Sequence, residues 1–287
     1  FELVGSTSSK RSNGSTGARS QPDPAPVGTL VDDPDPDADP ATIITTVAAR
    51  TSGRSATGNR GDLVLDEPFT ERLPEWFGAR DVAVTRSEAN LRRQLRRALN
   101  DDQSEVLDRL RSGRGSIEVD ELPEAEEQRD HFLAPLRRGL TDIARSGARA
   151  GGADDVDAAT LDHLIEQLAR YLVDRVRTPT VQAIEDADHV DREKILEPIR
   201  AVYRDFRNIG LPDLVADALN EAFAIGLYDS IGEGSPVLWA IDPRTDPDPV
   251  CEVNRDRADL VKGEAFPSGH VRPLAVPGCR CLVIGLH

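Results

Sequence analysis

A chain of 287 residues with a formal net charge of -16 repels nucleic acid and anionic membrane surfaces as a whole, so any contact with DNA has to be local. The composition is 38% hydrophobic but only 4% aromatic, which favours an aliphatic core and a mainly helical fold. Three cysteines are too few to form a disulfide scaffold. No apolar run approaches the about 20 residues of a membrane span, and Met is absent, so we expect a soluble piece of a longer product.

The first 61 residues are predicted to form an extended arm or linker. They are rich in Ser, Gly, Pro, Asp and Thr, and the stretch PDPAPVGTLVDDPDPDADP alternates Pro and Asp in a way that prevents regular hydrogen-bond ladders. Only the apolar run ATIITTVAAR interrupts this composition, and it predicts a short strand or helix near residues 42–49. We expect the arm to be disordered unless a partner orders it.

Leucine periodicity predicts at least five helices between residues 62 and 234. Apolar residues recur at helical spacing in 87–112, 123–152, 157–187, 191–206 and 211–234. Ser87 is the predicted N-cap of the first helix, and Pro179 is predicted to break or kink the third. We assign residues 62–154 to an N-terminal helical region and residues 155–287 to a second domain.

The pattern changes after Ser235. The run PVLWAID predicts a strand over 236–242, and the closing CLVIG predicts a second strand after a long loop rich in Gly and Pro. The predicted fold class is therefore mainly α: a helical array with a small C-terminal β-hairpin-like module and an extended N-terminal arm. Trp239 and Phe266 are the expected core of the module.

The order of residues in this module resembles that of a known family. Along the chain come Trp239, the step Asp242-Pro-Arg-Thr245, Cys251, the step Phe266-Pro-Ser-Gly269 and the closing Cys279-Arg280-Cys281. This order resembles the head-morphogenesis family of tailed phages typified by the F protein of phage Mu, over roughly residues 155–285. The closing Cys-Arg-Cys is the most specific part of this resemblance.

The resemblance implies a minor head protein without enzymatic activity. Its implied partners are the phage portal protein and the major capsid protein, with homo-oligomers and local DNA contact also open, and it implies no membrane partner. Its implied location is the virion, in the head interior or at the portal vertex, after assembly in the host cytoplasm. Two alternatives stay open: the C-terminal part of a portal fusion polypeptide, or a fragment of a precursor fused to a maturation protease or toxin.

The cysteines allow three interpretations. Cys279 and Cys281 pack as small apolar residues on one face of a strand, or one of them forms a disulfide with Cys251, or zinc binds Cys251, His270, Cys279 and Cys281. We favour packing and expect no bound cofactor, because two ligand positions of the resembled family are replaced. Asn254 stands where that family has a second cysteine, and Val276-Pro277-Gly278 stands in place of His-Pro-Asn.

The sequence contains no hydrolase or nucleotide-binding motif. It does contain one distinct basic cluster. The cluster is LRRQLRR, with Arg92, Arg93, Arg96 and Arg97 on adjoining turns of one helix. It is a candidate contact for phosphate or an acidic partner. We favour the alternative, a solvated face paired with Asp101, Asp102 and Glu105.

Overall fold

The computed structural model describes residues 67–187, 192–257 and 259–286. Helices dominate these ranges, and a small antiparallel sheet lies near the C-terminal end, so the predicted fold class is confirmed for the described residues. The predicted arm over 1–61, with its short element near 42–49, lies outside them.

Five long helices run through the described residues before the sheet. They are α1 (Glu67–Ser112), α2 (Ala125–Ala150), α3 (Ala158–Glu185), α4 (Arg192–Asp205) and α5 (Leu211–Asp229). A 3-10 turn, Val119–Glu121, follows α1, and a π-helical turn, Phe206–Gly210, joins α4 to α5. Asp157 caps α3 by accepting hydrogen bonds from the amides of Ala159 and Thr160.

One predicted helix start is wrong, whereas the predicted range 157–187 of the third helix matches α3 within two residues at each end. Helix α1 begins at Glu67 rather than at Ser87, because Trp76, Phe77 and Val84 are buried and extend its apolar side toward the N-terminus. Helix α3 continues through Pro179 to Glu185. Thr180 is buried just after the proline, so tertiary packing holds this turn in helical form although proline donates no backbone hydrogen bond.

Helices α2 and α5 cross with their backbones in direct contact. A Cβ atom added at Gly226 of α5 would lie 1.8 Å from the carbonyl oxygen of Ala144, and one added at Gly147 of α2 would lie 2.1 Å from that of Phe223. These two glycines therefore set the distance between the helices. Since α2 and α5 lie in the two predicted regions 62–154 and 155–287, the shared core crosses that boundary.

The C-terminal sheet has three strands, with a short helix between two of them. Its elements are β1 (Pro236–Ala240), α6 (Pro249–Arg255), β2 (Leu260–Val261) and β3 (Leu282–Gly285), and the strand order is β2-β1-β3 with both pairs antiparallel. The predicted two-stranded hairpin is therefore wrong in its number of strands. Helix α6 begins where Asp248 acts as N-cap and Pro249 occupies the first turn, a start signal that the sequence interpretation overlooked.

Both faces of the sheet are buried. Alternation along the strands turns one set of side chains toward the core of the long helices: Leu238, Ala240, Leu282 and Ile284. The opposite set belongs to a second apolar cluster with the loops of the C-terminal module: Val237, Trp239 and Val283. The sheet thus separates the helical core from the module core.

The α2–α5 contact gives a test of helix packing. We expect Gly226→Ala to lower the free energy of unfolding by at least about 2 kcal/mol, because the new methyl group would overlap a backbone carbonyl that cannot move without shifting α2. Gly78→Ala in α1 is the matched control. Nothing lies within 4 Å of its added Cβ, so it should be neutral or stabilise by up to about 1 kcal/mol. Equal effects of the two changes in chemical denaturation would contradict the close crossing.

Candidate metal centre

Three cysteine side chains converge inside the C-terminal module. Cys251 lies on α6, and Cys279 and Cys281 lie in the segment that precedes β3. The three Sγ atoms lie within 4.8 Å of one another, and those of Cys251 and Cys279 are 3.6 Å apart. All three residues are buried free cysteines. The expectation that Cys279 and Cys281 lie on a strand is wrong, since β3 begins at Leu282, yet both sulfur atoms reach the same cluster.

Two aromatic rings belong to the same core as the sulfur atoms. Trp239 and Phe266 are buried and meet edge to face, with ring centroids 5.1 Å apart and planes at 70°. They join the three cysteines in the second apolar cluster. The structure thus brings Trp239, Phe266 and the cysteines together, and the surrounding apolar groups exclude water from the thiols.

The thiols differ in how readily they lose a proton. Hydrogen bonds from Cys251 and then from Cys281 lower the pKa of Cys279 to about 3. The hydrogen bond to Cys279 raises the pKa of Cys251 to about 12, and hydrogen bonds to its two neighbours raise that of Cys281 as well. The arrangement therefore favours one thiolate, on Cys279, held by two thiols. A thiolate is the form of cysteine that binds metals.

The spacing of the sulfur atoms suits a tetrahedral metal ion. Zinc–sulfur bonds of about 2.3 Å imply about 3.8 Å between two sulfur ligands of a tetrahedral site. The 3.6 Å between Cys251 and Cys279 is close to that value. Thiolate ligands select soft or borderline ions such as Zn²⁺. The three residues therefore fit zinc in donor type, and the Cys251–Cys279 pair also fits it in spacing.

His270 lies outside the group of ligand atoms that share the 4.8 Å limit among the described residues. It is half-buried, and its Nδ1 lies 2.8 Å from the hydroxyl of Ser268, which leaves Nε2 as the nitrogen that a metal would use. Burial lowers the pKa of His270. A hydrogen bond with the backbone of Ser268 and negative charge on Cys279 act in the opposite direction but are weaker. A neutral imidazole is the form that binds a metal.

Asn254 organises the loop that carries His270. It is buried; its side-chain nitrogen donates to the hydroxyl of Ser268 at 2.8 Å, and its oxygen accepts from the Ser268 amide at 3.0 Å. At the position where the resembled family has a second cysteine, this chain therefore has a residue that fixes the loop.

Arg280, between the two cysteines, contacts α1. Its guanidinium donates to Asp81 at 2.7 Å, while its carbonyl accepts from Arg80. Arg80 has no exposed surface and donates to Asp242 at 2.5 Å. Arg244 also contacts Asp81 and Asp242, at 2.6 Å and 2.9 Å. This ion network attaches the module to the first long helix.

The two carboxylates of the network are held in their charged form. Burial opposes ionisation of Asp242, but hydrogen bonds from Arg244 and Arg80 outweigh it and keep its pKa well below the usual range. Burial likewise opposes ionisation of Asp81, and the hydrogen bond from Arg80 leads the effects that lower its pKa. Sequence interpretation noted Asp242 only as part of a motif and missed Arg80, because nothing in the helical pattern marks an arginine as buried.

Glu221 is a second buried ionisable group that the sequence did not reveal. It lies on α5 with one carboxylate oxygen lacking any hydrogen-bond partner among the described residues. Burial raises its pKa to about 8, with Arg272 opposing and Asp217 and Cys279 adding to the shift. Glu221 is therefore protonated below that pH.

The four arginines of the basic cluster lie on the exposed side of α1. The expected pairing of these arginines with Asp102 and Glu105 is wrong, because both carboxylates contact other residues. Buried Asp102 accepts from Tyr203 at 2.7 Å, and Glu105 contacts Arg109 at 2.7 Å and His131 at 3.0 Å.

Comparisons with known proteins do not assign a family. Family models, curated proteins and solved structures each gave no match. Within the described ranges, no helix combines the length and the apolar character that crossing a membrane requires. Function is therefore inferred from the geometry of the module and from the resemblance of its residue order.

The attachment of the module to α1 can be tested at Asp242. We expect Asp242→Ala to lower the free energy of unfolding by about 3 kcal/mol, because it leaves the fully buried Arg80 with only Asp81 as a carboxylate partner. Asp246→Ala, an exposed aspartate in the same loop, is the control and should stay within about 0.5 kcal/mol of the parent.

The effect of Asp242→Ala should depend on pH. The pKa of Asp242 in the folded protein lies below its ordinary value of 3.8, so its contribution to stability is present above that pH and is lost as the pH falls below it. Denaturation at neutral and acidic pH should therefore show the gap between parent and variant closing in acid. A gap that stays constant or widens there would contradict the assigned ion pair.

Proposed function

We propose that this chain is a structural minor head protein of a tailed phage that associates with the portal protein or the major capsid protein. One observation carries the proposal. Five residues of the resembled motif, far apart in sequence, share one buried core: Trp239, Cys251, Phe266, Cys279 and Cys281. Two further motif residues, Asp242 and Arg280, attach that core to α1. The aromatic, cysteine, Asp242 and Arg280 positions of the motif thus have structural roles.

Burial of the sulfur atoms supports a structural role for the site. A nucleophilic cysteine has to meet its substrate, whereas Cys251, Cys279 and Cys281 are all buried behind Trp239 and Phe266. Closed thiolate sites without an open position are typical of structural metals. We propose that the module stabilises a docking element and carries out no catalysis.

The module's stabilising ion is, in this proposal, one zinc. Cys251, Cys279 and Cys281 would supply three ligands. A closed structural site needs a fourth protein ligand, which His270 would have to supply through Nε2. Bound there, zinc would join α6 to the segment before β3, two parts of the module that are far apart in sequence. Small modules with little core of their own gain folding energy from such an ion.

Purified protein is expected to contain about one zinc per chain, and chelation should lower its melting temperature by about 5 °C or more. Cys279→Ser should abolish binding, since it removes one of the three sulfur ligands, the one whose Sγ lies 3.6 Å from that of Cys251. Val283→Ala is the control: this buried residue belongs to the same core but offers no ligand, so the variant should lose stability and keep zinc. Elemental analysis and thermal unfolding measure both quantities.

The other interpretations of the cysteines give different results. Three titratable thiols in a protein without metal, with melting unaffected by chelator, would support simple packing. One titratable thiol would support a disulfide. Either result would remove the zinc proposal and leave the head-protein proposal standing, since that proposal rests on the shared core.

The head role is tested by co-expressing the chain with the portal and major capsid genes of the same genome. We expect purified heads to retain the chain at a fixed ratio to portal in quantitative mass spectrometry. The Asp242→Ala variant should be depleted from heads, with Asp246→Ala retained as in the parent. Purified heads that do not contain the co-expressed chain would contradict the proposal. Detection of the chain only within a longer portal, protease or toxin polypeptide would favour the fusion alternatives instead.

A further inference from the structure

A stretch of α1 carries four arginines, of which only Arg92 has a carboxylate partner among the described residues. Arg93, Arg96 and Arg97 are exposed, and Arg92 is half-buried. With Ala89 and Asn100 they line a shallow depression of about 290 Å³ along the helix. Arg92 lies 3.7 Å from Glu88, but among the described residues no carboxylate lies within ion-pair distance of the other three.

The π-helical turn after α4 adds another cation to this surface. Arg207 donates to the side chains of Asn100 and Gln103 at 2.7 Å each, which holds it against α1. Its carbonyl accepts from Arg96 at 3.4 Å. Burial lowers the pKa of Arg207, and the positive charges of Arg96 and Arg204 lower it further. Arginines therefore lie close together in a chain whose net charge is -16.

These charges cover a length of helix that can reach neighbouring phosphates of a nucleic-acid strand. From Arg92 to Arg97 the helix rises by about 7.5 Å. One strand of duplex DNA carries one phosphate per about 3.4 Å of the axis, so this length lies beside about two phosphates of that strand. Arginine suits these phosphates because its planar guanidinium forms two parallel hydrogen bonds to their oxygens.

The composition of the surface favours DNA over a folded protein partner. Protein interfaces have an apolar centre that is depleted in charge. The depression on α1 is lined instead by four arginines, one asparagine and one alanine. A surface of this kind recognises a polyanion through its backbone and without sequence preference.

We propose that this basic face of α1, formed by Arg92, Arg93, Arg96 and Arg97 together with Arg207, binds the phosphate backbone of duplex DNA. The bulk of the chain repels DNA, so the contact is local and orients the helix against the duplex. No residue of the cysteine module takes part, and the inference stands independently of the head role.

Fluorescence anisotropy of a labelled duplex of about 30 base pairs, titrated with the full chain at several salt concentrations, tests the proposal. We expect Arg93→Gln/Arg97→Gln to weaken binding at least tenfold at about 50 mM salt and to reduce the salt slope by about 1 for each lost contact. The control is Arg145→Gln/Arg149→Gln, which removes the same charge from exposed positions at the same spacing on α2. It should bind like the parent.

Two results would overturn the proposal. One is equal affinity of the two double variants for the duplex, which would show that the basic face of α1 is not the contact. The other is binding of labelled polyglutamate at least as tight as that of the duplex and lost in Arg93→Gln/Arg97→Gln, which would assign the face to an acidic protein partner. Circular dichroism of both variants should match the parent, because all four side chains are exposed.

Discussion

The guanidinium of Arg80 has no exposed surface, and the position of the C-terminal module depends on it. A buried positive charge is tolerated only where carboxylates and carbonyls satisfy its hydrogen bonds. Asp81 comes from the same helix, but Asp242 follows β1 and the accepting carbonyl belongs to Arg280. Two distant parts of the chain must therefore meet α1 for the hydrogen bonds of this buried guanidinium to be satisfied.

The tripeptide Cys279-Arg280-Cys281 connects this constraint to the candidate metal centre. Its central side chain reaches Asp81 on α1, while the flanking sulfur atoms reach Cys251 on α6. Docking of the module and convergence of the thiols therefore depend on the same short segment. Both faces of the sheet beside it are buried, so a shift of β3 would disturb the helical core and the module core together.

Arginine serves three different purposes in this acidic chain. Arg80 is buried and neutralised by carboxylates, whereas Arg109 forms partly exposed ion pairs with Glu105 and Glu127, which contribute little to stability. The exposed Arg93 and Arg97 have no carboxylate partner among the described residues. Charges of the third kind form no ion pair within the described residues, so they remain available to an anionic ligand.

Sequence alone determined the helical character, the approximate positions of five helices and two of the three strands, because apolar periodicity is a local property of the chain. It also identified the cysteines, Trp239 and Phe266 as residues of interest. Only the tertiary structure decided that α1 begins at Glu67, where Trp76 and Phe77 find a core to pack against. It alone decided that Arg80 is buried against Asp242 and that Cys251 lies beside Cys279, because burial depends on which distant segment comes to cover a residue and no local pattern encodes that.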